Sequence, residues 1–179
     1  IVPNDAGGRI VYFSGLVEGL WNLEIGSNQA SATPLIGPGS TFKLNSGECI
    51  GCHSFSRNGQ TMSYAIQAPT WSMELASIAT STPAVILPGN QGGEAVWTAM
   101  HPDGQYVLVT NLNAQLVLLD GNTGQIVTQV PTAAAGMNAT QAFWSPIGDE
   151  FAFVTGTEGI NGVTDFAGGE VWTMSFSIV

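Results

Sequence analysis

The chain has 179 residues, of which 44% are hydrophobic, so it is long enough to enclose one buried core of ordinary size. Three basic side chains stand against 13 acidic ones, and the formal net charge is −10. This balance excludes a basic surface for nucleic acids and disfavours binding to an anionic membrane surface. No apolar run in the sequence is long enough to predict a membrane span.

A repeat of about 45 residues organises the chain, and this period is typical of β-propeller blades with four strands each. In each unit a turn glycine and a polar residue precede a short alternating run, which predicts a β-strand. The four turn glycines are Gly8, Gly59, Gly104 and Gly148. The last three close turns at 56–59, 101–104 and 145–148. Pro, Asp or Asn favours a tight hairpin in these turns, and Gly supplies a positive φ.

Further strands follow in each unit, and we predict no helix because no long segment holds a 3.6-residue period without Gly or Pro. The predicted strands of the first unit are 8–13, 20–25 and 33–36. Those of the later units are 59–64, 72–76, 84–87, 104–109, 115–119, 125–130, 148–153 and 170–176. The clearest hairpin signal is the Asp-Gly-Asn-Thr-Gly segment at 120–124, which lies between two β-runs. The sequence therefore predicts an all-β fold, a β-propeller of about four four-stranded blades.

The turn sequences Ser-Arg-Asn-Gly, His-Pro-Asp-Gly and Ser-Pro-Ile-Gly resemble the repeat of TolB-like propellers, and four such units cover almost the whole chain. Segment 49–59, in which Cys-Ile-Gly-Cys-His runs directly into a blade turn, resembles a narrower group of exported bacterial TolB-like propellers that carry a Cys-x-x-Cys-His motif. This resemblance implies a propeller fold and a periplasmic, cell-surface or extracellular location.

Propellers of this repeat type usually have six or more blades, so we expect this chain to belong to a larger ring or to be completed by a partner. We assign residues 1–179 to a single propeller domain or propeller segment. Its blades are expected at about 1–40, 41–90, 91–131 and 132–179. Open strand edges of an incomplete ring would promote association with other chains.

The motif Cys49-Ile50-Gly51-Cys52-His53 predicts covalent attachment of one haem c. Two thiols at this spacing reach both vinyl groups of one porphyrin, and the following imidazole ligates the iron from below. Cys49 and Cys52 are thus the predicted cofactor-binding residues, and His53 is the predicted proximal iron ligand. These are the only two cysteines of the chain, and His53 is one of two histidines.

Two other interpretations of the motif remain open. Cys49 and Cys52 could form a disulfide that pins a loop, in which case His53 has no special role. A zinc site is the second alternative, although it needs a fourth ligand and a closed shell.

For the haem, the distal iron ligand could be Met137 or His101. His101 is alternatively a turn residue that caps the hairpin at Asp103.

The first functional hypothesis is a redox carrier that exchanges electrons with a redox partner or another haem protein, and the acidic surface would favour a basic partner. The second is a haem-free propeller that acts as a protein-binding or assembly module. A haem peroxidase-like enzyme is a third hypothesis, for which His101 would be the distal acid/base group. We favour a non-enzymatic role, because no Ser-His-Asp set, carboxylate pair or phosphate loop stands out.

Overall fold

The computed structural model describes residues 8–14, 19–25, 32–36, 49–67, 71–77, 84–85, 95–132, 138–155, 158–161, 165–167 and 169–178. These residues form sixteen β-strands, all in antiparallel sheets, which confirms the all-β prediction. The chain divides into two compact units, residues 1–50 and 51–179. Within the described ranges, no helix has the length and apolarity to cross a membrane.

The first unit contains a three-stranded sheet, which we call the first sheet. Its strands are β1 (Gly8–Ser14), β2 (Gly19–Ile25) and β3 (Thr33–Ile36), in the order β1-β2-β3. Leu20 of β2 pairs with Ile36 of β3, and both side chains are buried. The three strands match the three predicted for this part of the chain.

Two four-stranded sheets follow, and in each of them strands adjacent in sequence are adjacent in space. The second sheet is formed by β4 (Cys49–Phe55), β5 (Thr61–Gln67), β6 (Trp71–Ser77) and β7 (Ala84–Val85). The third is formed by β8 (Ala95–Met100), β9 (Tyr106–Asn111), β10 (Leu116–Asp120) and β11 (Ile126–Gln129).

The fourth sheet has three strands in the order β12-β13-β16, and a separate two-stranded hairpin is inserted in the chain between the second and third of them. Its strands are β12 (Ala139–Trp144), β13 (Glu150–Thr155) and β16 (Glu170–Ser175). The hairpin consists of β14 (Glu158–Asn161) and β15 (Asp165–Ala167), which pair with each other. The sequence did not predict this hairpin, because its strands are short and lack a clear alternation of apolar residues.

The turns between the first two strands of the last three sheets have the predicted glycine geometry. Gly59, Gly104 and Gly148 have φ values of 66°, 80° and 79°, in the left-handed region that favours glycine. The N–H of each glycine donates to the carbonyl of the residue three positions earlier, at 2.8, 2.8 and 3.1 Å.

The hairpin at 120–124 also forms as predicted. The Asp120 carboxylate accepts hydrogen bonds from the N–H groups of Asn122 and Thr123, at 2.9 and 2.7 Å. The bond from Thr123 is the main reason that the pKa of Asp120 is lowered.

The third sheet is buried on both faces. One face carries the cluster of Met100, Val107, Val109, Val117 and Leu119. On the other face, Leu108, Leu116 and Leu118 pack against Phe151 and Phe153 of the fourth sheet. Because both faces are covered, β9 and β10 are continuous apolar runs rather than alternating ones.

Candidate functional site

The three motif residues lie on one strand, β4, which is an edge strand of the second sheet. β4 begins at Cys49, contains Cys52 and His53, and ends at Phe55, directly before the turn at 56–59. In the sheet order β4-β5-β6-β7, β4 has only one neighbouring strand. A change in the backbone of β4 would therefore disturb fewer hydrogen bonds of the sheet than a change in β5 or β6.

Cys52 is a half-buried free thiol. Burial raises its pKa to about 11, against a smaller lowering by a backbone hydrogen bond. The thiolate is the form of cysteine that attacks electrophiles and binds metals. In the folded chain Cys52 thus stays protonated at neutral pH and has the character of a packed side chain rather than a reactive one.

Hydrogen bonds that involve side chains connect β4 and β5 to β8 of the third sheet. The Ser54 hydroxyl accepts a hydrogen bond from the Met100 N–H at 2.5 Å, and the Thr98 hydroxyl lies 3.4 Å from the Cys52 carbonyl oxygen. Ser63 donates to the Thr98 hydroxyl at 3.0 Å, and both residues are buried. The second half of the motif strand is therefore held against the neighbouring sheet.

His53 is half-buried, and its ring meets the Phe55 ring edge to face, with centroids 5.8 Å apart. The two rings share a face of β4 because they are two residues apart in a strand. By the same alternation, Cys52 and His53 point to opposite faces. Ligation of one porphyrin by both residues requires segment 49–53 to leave the extended conformation.

The extended strand also separates the two cysteines. A strand advances about 3.3 Å per residue, so Cα atoms three residues apart lie about 10 Å from each other, whereas a disulfide needs less than about 7 Å. The conformation of β4 is therefore not one in which Cys49 and Cys52 form a disulfide. This alternative, like haem attachment, requires a change in the strand.

His101 occupies the turn position that is serine in the neighbouring sheets, at Ser56 and Ser145. It is 7% exposed, its Nδ1 lies 2.6 Å from a carboxylate oxygen of Asp103, and its Nε2 donates to the Gly148 carbonyl at 3.0 Å. Both ring nitrogens are thus engaged, which is the arrangement expected of a turn residue that caps the Asp103 hairpin. Ligation of iron by His101 would require the loss of one of these contacts.

The rest of the predicted site is only partly described. Met137, the other predicted distal ligand, lies outside the described residues. Among the residues that the structure describes, no three His, Cys, Asp or Glu side chains converge in a way that could hold a metal ion. Sequence reasoning missed the roles of Thr98 and Gly148, and no local pattern marks Thr98, because its partners are 35 residues or more away in the chain.

Several solved structures share this architecture. A TolB from Acinetobacter baumannii is 18% identical with a TM-score of 0.61, and the match covers 94% of this chain and 39% of that one. The protein assigned as TolB from Agrobacterium tumefaciens is 15% identical with a TM-score of 0.62, and the match covers 97% of this chain and 58% of that one. The β-propeller domain of Cps50 (Swd1) from Myceliophthora thermophila is 16% identical with a TM-score of 0.55, and the match covers 83% of this chain and 49% of that one. The fold is that of an incomplete β-propeller.

The expected likeness to TolB propellers is confirmed at the level of the fold. This propeller segment spans about 39 to 58% of the length of the two TolB structures. No protein family profile matches the chain, and no curated protein sequence does.

Proposed function

We propose that this propeller carries one covalently attached haem c and acts as an electron-transfer protein of the cell envelope or the extracellular space. The observation that carries the proposal is the motif Cys49-x-x-Cys52-His53, which contains both cysteines of the chain and runs directly into a propeller turn. Cys49 and Cys52 would form the thioether bonds, and His53 would supply the proximal imidazole.

The residue types and their spacing fit the group, whereas the extended form of β4 does not. Because β4 is an edge strand, segment 49–53 can change conformation without breaking the hydrogen bonds among β5, β6 and β7. We therefore expect the attached form to differ from the present strand over these five residues. A haem held there supplies one-electron chemistry, at a potential set by the distal ligand, burial and hydrogen bonds.

The charge of the chain indicates the kind of partner. A net charge of −10 would steer a basic redox protein toward this one at low salt, and the effect would weaken as salt screens it. Export to the periplasm, the cell surface or the medium is part of this proposal, and it rests on the resemblance of segment 49–59.

A second candidate, the haem-free binding or assembly module, is favoured by one specific observation. Cys52 is a half-buried thiol, with a pKa that burial raises to about 11, and it lies in a regular strand that is hydrogen-bonded to the next sheet. In this interpretation the motif residues stabilise the fold, and the propeller surface binds another protein.

An absorption spectrum of protein from a host that attaches c-type haem separates the two candidates. We expect sharp reduced bands that stay with the polypeptide after acid–acetone extraction, and we expect Cys49→Ser with Cys52→Ser to abolish them. His101→Ser is the matched control, because it changes the other histidine and leaves the motif intact. A colourless wild-type protein from this host would reject the haem proposal and leave the binding module.

A further inference from the structure

The hydrogen bonds between β4 and β8 define which face of the motif strand meets the third sheet. The Ser54 hydroxyl accepts the N–H of Met100 at 2.5 Å, so the Ser54 side chain points toward the third sheet. Cys52 is two residues earlier in the same strand, and its side chain therefore shares this face. The Thr98 hydroxyl, two residues before Met100, lies 3.4 Å from the Cys52 carbonyl oxygen. Cys52 thus lies opposite Thr98, on the side of β4 that faces the third sheet.

His53 is on the opposite face of the strand, where its ring contacts that of Phe55 with centroids 5.8 Å apart. Attachment of haem c needs the thiols and the imidazole on one porphyrin. Each thioether forms when a cysteine S–H adds across a vinyl C=C: sulfur bonds to one carbon, hydrogen goes to the other, and no group leaves. With Cys52 and His53 pointing in opposite directions, the extended strand prevents this attachment.

The end of β4 that leads into the turn is bound more firmly than the motif itself. The bond from Met100 to Ser54 is 2.5 Å long, whereas the contact between Thr98 and the Cys52 carbonyl measures 3.4 Å. Just after the strand, the Arg57 N–H donates to the Pro102 carbonyl at 2.8 Å, which binds the turn to that of the third sheet. Segment 54–57 is therefore held at two points that lie outside segment 49–53.

We propose that β4 has two states, which differ by a hinge at Ser54. In the docked state, β4 is the strand described above. In the peeled state, segment 49–53 leaves β5 and the third sheet, while Ser54 and the turn stay in place. Haem is attached only to the peeled state, so docking of the strand and attachment of haem exclude each other. This inference rests on the proposed function and names how its site is regulated: contacts that stabilise docking oppose attachment, and attached haem prevents docking.

Hydrogen exchange followed by mass spectrometry tests the docked state in the haem-free, full chain. We expect slow exchange at residues 52–55 and at Met100. Ser54→Ala removes the acceptor of the Met100 N–H, so exchange at these positions should become about three- to tenfold faster. The matched control is Ser145→Ala, because the Ser145 hydroxyl also accepts a backbone N–H, from Gly148 at 3.0 Å, but in the turn of the fourth sheet. The control should leave exchange at residues 52–55 and Met100 unchanged.

The haem-loaded wild type tests the peeled state. We expect segment 49–53 to exchange at least about tenfold faster than in the haem-free protein, because its strand contacts are lost. Met100 should keep its slow exchange, because Ser54 stays in place. Slow exchange throughout 49–53 in the haem-loaded protein would show that a docked strand carries the haem, and this result overturns the proposal. Fast exchange at Met100 in the haem-loaded protein overturns the hinge at Ser54.

Absorption spectra of the same samples distinguish a failure of the two states from a failure of the proposed function. A colourless wild type from a host that attaches haem rejects both. A coloured wild type in which segment 49–53 remains protected leaves electron transfer intact and rejects the two states alone. Thr98→Val is a second, independent disruption of docking, because it removes the hydroxyl opposite Cys52. Exchange at residues 52–55 that is equal in wild type, Ser54→Ala and Thr98→Val also overturns the proposal.

Discussion

The Nε2 atom of His101 lies 3.0 Å from the carbonyl oxygen of Gly148, and this hydrogen bond joins the turn of the third sheet to that of the fourth. A second link, from the Arg57 N–H to the Pro102 carbonyl at 2.8 Å, joins the turns of the second and third sheets. Successive turns are therefore bonded to each other. The close approach at Gly148 depends on glycine, because a Cβ there would collide with the imidazole ring.

Gly148→Ala should lower the free energy of unfolding by about 2 to 4 kcal/mol, because it combines a left-handed backbone with a collision against His101. Urea unfolding measures the change. The matched control is Gly59→Ala, which also has a positive φ but whose added Cβ meets no described atom within 4 Å. The control should cost only about 1 kcal/mol. Equal effects at the two sites would contradict the collision.

His101→Ser installs the residue that the second and fourth sheets have at this turn position. We expect a loss of about 2 kcal/mol in unfolding free energy, because the bond to Gly148 and the packing of the ring against Trp144 and Phe176 disappear. In haem-loaded protein the absorption spectrum should stay unchanged. A changed spectrum with unchanged stability would instead assign His101 to the iron.

Thr98→Val should cost about 1 to 2 kcal/mol, because it leaves the buried Ser63 hydroxyl without its acceptor. The double variant Ser63→Ala with Thr98→Val removes both hydroxyl groups and should recover part of that loss. A double-mutant cycle by chemical denaturation gives the coupling free energy. Strictly additive losses would show that the hydrogen bond contributes nothing.

The half-buried thiol of Cys52 should react slowly with iodoacetamide in haem-free, folded protein. With a pKa of about 11, roughly one thiol in a thousand is ionised at pH 8, so the rate should keep rising up to about pH 11. Site-resolved mass spectrometry of the Cys49→Ser variant measures the rate at Cys52 alone. A rate that levels off near pH 9 would contradict the raised pKa.

The same pKa sets the direction of a pH effect on stability. Between about pH 9 and pH 11 the unfolded chain loses the Cys52 proton while the folded chain retains it, so stability should fall as the pH rises through this window. Cys52→Ala should remove this part of the pH dependence. Denaturation midpoints of the two proteins across the window provide the measurement.

Much of the fold was readable from the sequence because the repeat is encoded by local chemistry. The turn glycines at Gly59, Gly104 and Gly148, and the Asp120 hairpin, depend on backbone preferences and hydrogen bonds within a few residues. The alternating and continuous apolar runs then placed the strands. The same local patterns located the Cys-x-x-Cys-His motif directly before a blade turn, where the structure has the strand β4.

Contacts between sheets could be decided only by the tertiary structure. The burial of Cys52, the bond from His101 to Gly148 and the exposure of Phe143 depend on residues about 45 positions apart or on the absence of a covering sheet among the described residues. A turn or a strand alternation is fixed over a few residues, so a sequence can display it. Packing between blades depends on side chains that meet only after the sheets have formed, and no local pattern records which of them will meet.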